Sequence, residues 1–273
     1  GHMAGSVARV AKNNEEAKRF VEASYAQGVD LLKLMVTGGV LDAKEKGVPG
    51  EMKMPEDMIQ TICKKAHQLG LLTSAHVEST EGVKAALRNG VDSIEHGAKP
   101  DQEMIDLFKE KKAFLITTLS PALPFALFDP SVSKVDDTQL FNGKMVFDGI
   151  VECSKAALEN HIPVGLGNDV GCPWITQYDF YRELVYFHKY VGVTNGFALY
   201  TATLQNAILA GISDVTGSID AGKQADMIVV KENPLDDLNA LKNIDIVFTK
   251  GKMVHPKIKR DKEIEKRLDA FCK

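Results

Sequence analysis

Lys33, His76, His96 and Asp169 are the residues of this 273-residue chain whose types and settings could do chemistry. Each interrupts or closes a run suited to a buried strand. Lys33 lies inside Leu31-Leu32-Lys33-Leu34-Met35-Val36, His76 closes Leu72-Thr73-Ser74-Ala75-His76, His96 closes Ser93-Ile94-Glu95-His96, and Asp169 closes Val164-Gly165-Leu166-Gly167-Asn168-Asp169. A lysine buried among such neighbours must lose its charge or find a partner. Imidazole and carboxylate suit zinc and related divalent ions, so these four residues converging on one face would make a metal site. A neutral lysine there can also take up carbon dioxide as a carbamate, a carboxylate on a long arm able to bridge two metals. Taken singly, each has a blander reading: a lysine that snorkels or pairs with an acid, a histidine satisfied within a core. Four at equivalent positions change the balance.

The elements that must position them alternate. Residues 15–28 read as a helix with acids in its first turn and glycine at its stop, followed by a strand over 29–36 closed by Thr37-Gly38-Gly39. The unit recurs as helix 55–69 and strand 71–77, helix 80–89 and strand 91–95, helix 101–111 and strand 113–119, then helix 143–160 and strand 163–167. Helix and strand joined by short glycine-terminated turns predict parallel strands wrapped by helices, an α/β fold. In parallel α/β barrels the C-terminal strand ends carry the active site, which is where the four residues fall. Past Asp169 only helices follow (176–191, 195–200, 203–210), and 217–230 and 244–254 then read as strands of a small β appendage.

Composition narrows the class. The chain is 44% hydrophobic and 26% charged, with a formal net charge of −4 and its 33 basic residues scattered, which argues against nucleic acid and membrane surfaces as partners. The basic run from Lys257 to Lys262 reads as a solvated helix face. Cys63, Cys153, Cys172 and Cys272 form no CxxC pair, so neither a disulfide framework nor a zinc ribbon is indicated and a reducing cytoplasm is the expected setting. No apolar run approaches the roughly 20 residues of a membrane span.

Lys33-Leu34-Met35-Val36-Thr37-Gly38-Gly39-Val40, Ser74-Ala75-His76, Gly90-Val91-Asp92-Ser93-Ile94-Glu95-His96-Gly97 and Gly167-Asn168-Asp169 resemble the later metal-binding strands of the amidohydrolase superfamily, in its imidazolonepropionase-like and Xaa-Pro-dipeptidase-like branch. The stretch from Ala202 to Asp226 is similar to the helix and returning β segment that close such enzymes. The resemblance implies a (β/α)8 TIM-barrel hydrolase binding up to two divalent ions, zinc for preference. Carboxylated Lys33 would bridge the metals, His76 and His96 would bind the second, and Asp169 would bind the first and act as general base. A metal-activated water would then cleave an amide-like C–N bond of a dipeptide, an N-acyl amino acid or a cyclic amide. Phe125, in the Pro- and Phe-rich insertion, and Trp174, just after Asp169, are candidates for a substrate-pocket wall, beside the alternatives of a packed loop and a core tryptophan.

One part of the pattern is missing. The family takes two further ligands from His-x-His on its first barrel strand, and the other histidines here (His2, His67, His161, His188 and His255) are isolated. With about five strands, the expectation is a partial barrel of strands 4–8 with part of a small β-sandwich domain. Residues 1–6 read as a tail bearing a cloning remnant, 7–213 as the partial barrel, 214–258 as the C-terminal β segment and 259–273 as a helix or tail. A partial barrel exposes strand edges and invites a homo-oligomer or pairing with the missing N-terminal portion. The chain by itself is expected to be inactive or poorly active. Alternatives are a split or degenerate fragment serving as subunit or scaffold, and a single-metal deaminase of the same superfamily.

Overall fold

A computed structural model describes residues 8–255 and 257–273; the expected tail at 1–6 lies outside the described residues. The chain forms two compact units, Gly1–Thr117 with Ala122–Pro163, and Thr118–Pro121 with Val164–Lys273.

The first unit alternates helix and strand: α1 (Asn14–Ala26), β1 (Leu31–Met35), α2 (Glu56–Gln68), β2 (Leu72–Val77), α3 (Thr80–Arg88), β3 (Ser93–His96), α4 (Gln102–Lys111) and β4 (Phe114–Thr117). Three of these helices start where short polar side chains accept orphan backbone N–H groups, Asn13 from Glu16, Ser79 from Gly82 and Asp101 from Met104, whereas α2 starts after Pro55 without a side-chain cap. β1 pairs with β2, β2 with β3 and β3 with β4, all parallel. Register lines up two faces. Leu34, Ala75, Ile94 and Leu115 form one row and are all buried, whereas Lys33, Ser74 and Ser93 lie in register on the other face, as do His76 and Glu95. Asp92 ties this sheet to α2, accepting from the Thr73 N–H at 2.7 Å and the Thr73 hydroxyl at 2.8 Å, with His67 Nε2 2.8 Å from the same oxygen.

The insertion after β4 is helical, with α5 (Leu119–Leu127) and the short α6 (Pro130–Ser133), and α7 (Asp137–Glu159) begins six residues before the expected 143 because Asp136 and Gln139 form a capping box there.

In the second unit, β5 (Val164–Leu166) is followed by α8 (Tyr181–Tyr186), α9 (Asn195–Tyr200) and α10 (Asn206–Leu209), with wide π turns extending α8 and joining α9 to α10. The Asn206 side chain donates to the Leu166 carbonyl at 2.8 Å and accepts from the Leu166 N–H at 3.0 Å. β6 (Met227–Val230), β7 (Ile244–Thr249) and β8 (Lys252–Val254) form a three-stranded antiparallel sheet. The expected strand 217–230 is shorter than read, because Gly217 and Gly222 take left-handed conformations and turn the chain before Met227. Nor is the basic run a helix face. α11 (Lys262–Asp269) begins at its end, capped by Asp261, and Arg260 instead pairs with Asp179 and Glu265.

Glu183 of α8 is fully buried and accepts from the Leu119 and Ser120 N–H groups, at 2.6 and 2.8 Å, and from the Ser120 hydroxyl. These are first-turn donors of α5 with no acceptor inside the helix. Burial nevertheless pushes the Glu183 carboxyl up to about 7, against the three donors and with help from the negative charge of Asp169. Since the folded state keeps this proton to higher pH than the unfolded chain does, the associated stability is full below about 4.5 and lost as pH rises through about 7. Urea unfolding across that window should show wild-type stability falling by on the order of 3 kcal/mol relative to Glu183→Gln. Parallel curves for the two proteins would refute this.

Candidate metal centre

His76 and His96 stand at the C-terminal ends of β2 and β3, 5% and 4% exposed. Their rings meet edge to face with centroids 4.7 Å apart. Regular strand geometry would not allow this, because His96 is in register with Val77, on the face opposite His76. The backbone resolves the conflict: His96 has φ 70°. Moving from an extended φ of about −120° to that value turns Cβ to the other side of the preceding peptide, and so brings the imidazole round to His76. Such a conformation is uncommon outside glycine, and strain of this kind gathers at functional sites. Gly97 completes the turn with φ 85°; a Cβ there would lie 2.9 Å from Cys153 Sγ and 3.1 Å from Leu115 Cδ1.

His76 Nε2 is 3.2 Å from the Gly38 carbonyl. A carbonyl can only accept, so the bond places a proton on Nε2 and the imidazole lone pair on Nδ1, the arrangement in which metal-ligating histidines are held by an outer partner. Two residues on, half-buried Glu78 donates its N–H to Thr37 Oγ1 at 3.0 Å and accepts from the Val40 N–H at 3.1 Å. One potential ligand atom from each of His76, Glu78 and His96 lies within 4.8 Å of the others. Nitrogen and carboxylate donors at this spacing fit a divalent ion such as zinc. Glu78 was missed in the sequence, though its signal, His76-Val77-Glu78, stands in plain view.

Lys33 departs from the buried setting expected of it. Its side chain is 41% exposed and its Nζ is 3.8 Å from Glu95 Oε2, while Glu95 Oε1 accepts from Ser74 Oγ. Among the described strands β1 pairs only with β2, so its outer side is less covered than those of β2 and β3. Lys33 still shares the face of His76 and Glu95. Asp169 belongs to the second unit, three residues beyond the end of β5, in a turn with φ 50° where its carboxylate accepts from Cys172 Sγ at 3.1 Å. Trp174 is half-buried with the Arg267 guanidinium 6.0 Å from its ring centroid. Phe125 is buried in α5 against Gly143 of α7, where any Cβ would lie 2.6 Å from its own.

The amidohydrolase family profile matches residues 2–254. The chain belongs to the amidohydrolase family. A Bifidobacterium longum protein assigned as a prolidase is 38% identical, with a TM-score of 0.91 over 99% of this chain and 67% of its own. The solved structure of a Xaa-Pro dipeptidase with methionine in its active site is 29% identical, with a TM-score of 0.78 over 90% of this chain and 60% of its own. Among curated relatives, ochratoxinase of Aspergillus niger is 26% identical over 249 residues, 89% of this chain and 50% of the relative. The chain thus spans about half the length of the curated relatives it matches. Membership makes the fold TIM-barrel-like α/β, in accord with the parallel strands and the separate small antiparallel sheet.

The backbone that carries Glu78 is itself tightly packed. A Cβ on Gly50 would lie 2.5 Å from the Glu78 carbonyl carbon and 2.7 Å from Ser79 N, atoms that cannot swing aside. Gly50→Ala should therefore destabilise the protein by about 1–3 kcal/mol. An unchanged urea midpoint would contradict that.

Proposed function

We propose that the protein is a metal-dependent hydrolase of C–N bonds in small amide-like substrates, with dipeptides, N-acyl amino acids and cyclic amides as the classes to which it is suited. The observation that carries this reading is the buried His76–His96 pair, brought together at two strand ends by a left-handed backbone in a chain of the amidohydrolase family. The ligand set we propose is Lys33, His76, His96 and Asp169, with Lys33 as its carbamate. A bound divalent ion, zinc for preference, would supply Lewis acidity and a water acidic enough to attack at neutral pH. The protein's own groups do the rest. Gly38 holds the His76 ring through its carbonyl, Asp169 takes the proton of the attacking water, and the same carboxyl returns it to the leaving nitrogen. Lys33 without carbon dioxide remains the ion-pair partner of Glu95.

The substrate class is supported by the relatives, assigned as a prolidase and described as a Xaa-Pro dipeptidase, and by a cavity of 520 Å³ that borders Glu78. Val48, Pro49, Phe141 and Met145 give it an apolar wall, and its charged lining is mixed, with Lys99 and Lys144 beside Glu78, Asp148 and Glu152. Its size suits a dipeptide or an N-acyl amino acid.

A second reading is a non-catalytic subunit or scaffold. The two are separated by assay. Chain reconstituted with zinc should release amino acids from a panel of Xaa-Pro dipeptides and N-acyl amino acids, slowly but in a metal-dependent way. His96→Asn should lower kcat/KM by more than about a hundredfold, beyond what losing an outer partner of a metal ligand costs. Undiminished turnover in His96→Asn would sink the hydrolase reading, and no release by the metal-bound wild type would favour the scaffold.

A further inference from the structure

We infer that Glu78 is itself a metal ligand, so that His76, Glu78 and His96 form a three-donor site able to hold one divalent ion on the first unit alone. The inference rests on the same histidine pair as the hydrolytic reading but adds a carboxylate outside the ligand set proposed there. Four observations support it. The three donor atoms lie within 4.8 Å of one another, whereas ligands of one tetrahedral zinc, bound at about 2.0–2.1 Å, stand about 3.3–3.5 Å apart, so closure on an ion needs only small side-chain shifts. The carboxylate is already aimed, because the Val40 N–H holds Oε2 and the Glu78 N–H is fixed on Thr37 Oγ1. Gly50 packs against the Glu78 backbone so closely that the residue has little room to move away. His76 has the carbonyl partner on Nε2 that orients a ligating imidazole.

Two neutral imidazoles and one carboxylate leave a zinc ion with a net positive charge and a fourth position for water. Catalytic zinc sites use this donor set. Glu78 also borders the 520 Å³ cavity, which is large enough for a small ligand. The consequence is that metal binding by this chain does not depend on carbon dioxide at Lys33 or on any residue of the second unit.

The test is metal affinity. Full chain stripped with a chelator and titrated with Zn2+ against a chromophoric competitor should take up one ion with His76, Glu78 and His96 as ligands. Co2+ should give the visible absorption of a low-coordinate site. Glu78→Gln should weaken binding by at least roughly 10–100-fold, the loss typical of merely an outer-sphere partner. Glu81→Gln, which removes an equal charge three residues on, should bind as wild type. Circular dichroism and thermal unfolding of the metal-free proteins separate ligand loss from misfolding, since the glutamine oxygen can still accept from Val40. If Glu78→Gln binds as wild type while His76→Asn and His96→Asn do not, the inference falls and the hydrolytic reading stands. If the histidine variants also bind undiminished, or the wild type takes up no ion, both fall.

Discussion

Rotation about the N–Cα bond of His96 is the constraint around which the candidate site is built. Parallel register puts His76 and Glu95 side by side on one face and sends His96 to the other, among the buried apolar residues. With φ at 70° the imidazole crosses back, and two ligand-type side chains from neighbouring strands meet with ring centroids 4.7 Å apart. A histidine tolerates that conformation better than most side chains but still at a cost. The surroundings offset it: Gly97 follows in a left-handed conformation that only glycine fits beside Cys153 and Leu115, and the strand itself is pinned between β2 and β4. Rigid strands and one strained turn together fix a geometry that a loop would leave loose.

Much of this was readable in the residues. Alternating helix and strand, with a glycine stop after each of the first three helices, gave the parallel order, and Lys33, His76 and His96 were conspicuous because each replaces an apolar residue in a strand pattern. What was not readable depends on geometry normal to the chain. The burial expected of Lys33 assumed a covered strand, yet β1 is covered less than its neighbours and Lys33 reaches solvent and Glu95. Glu78 lies one residue past the end of β2, where strand periodicity no longer says which way a side chain points, so only the meeting with Val40 and Thr37 reveals its direction. The insertion after β4, with Pro121 and Pro124 in it, read as a loop; Glu183, distant in sequence, supplies the acceptors that the first turn of α5 needs. Tertiary capping of that kind leaves no local signature.

The second unit holds one of its buried charges in a network of ion pairs. In the second unit Arg182, 2% exposed, lies between Asp179 and Asp269, and Arg260 reaches the same Asp179. Removing one member would strand a charge in an apolar setting, which costs far more than the pair contributes. The arrangement therefore fixes α11 in place through specificity more than through net energy.

Asn206 has a different significance. Through its amide it offers Leu166 one donor and one acceptor at 2.8 and 3.0 Å, the same pair that a neighbouring strand would offer. Asn206 thereby occupies the donor and the acceptor through which Leu166 would pair with another strand. One side chain thus acts as a stopper on β5, and a strand arriving there from a second molecule would first have to displace it.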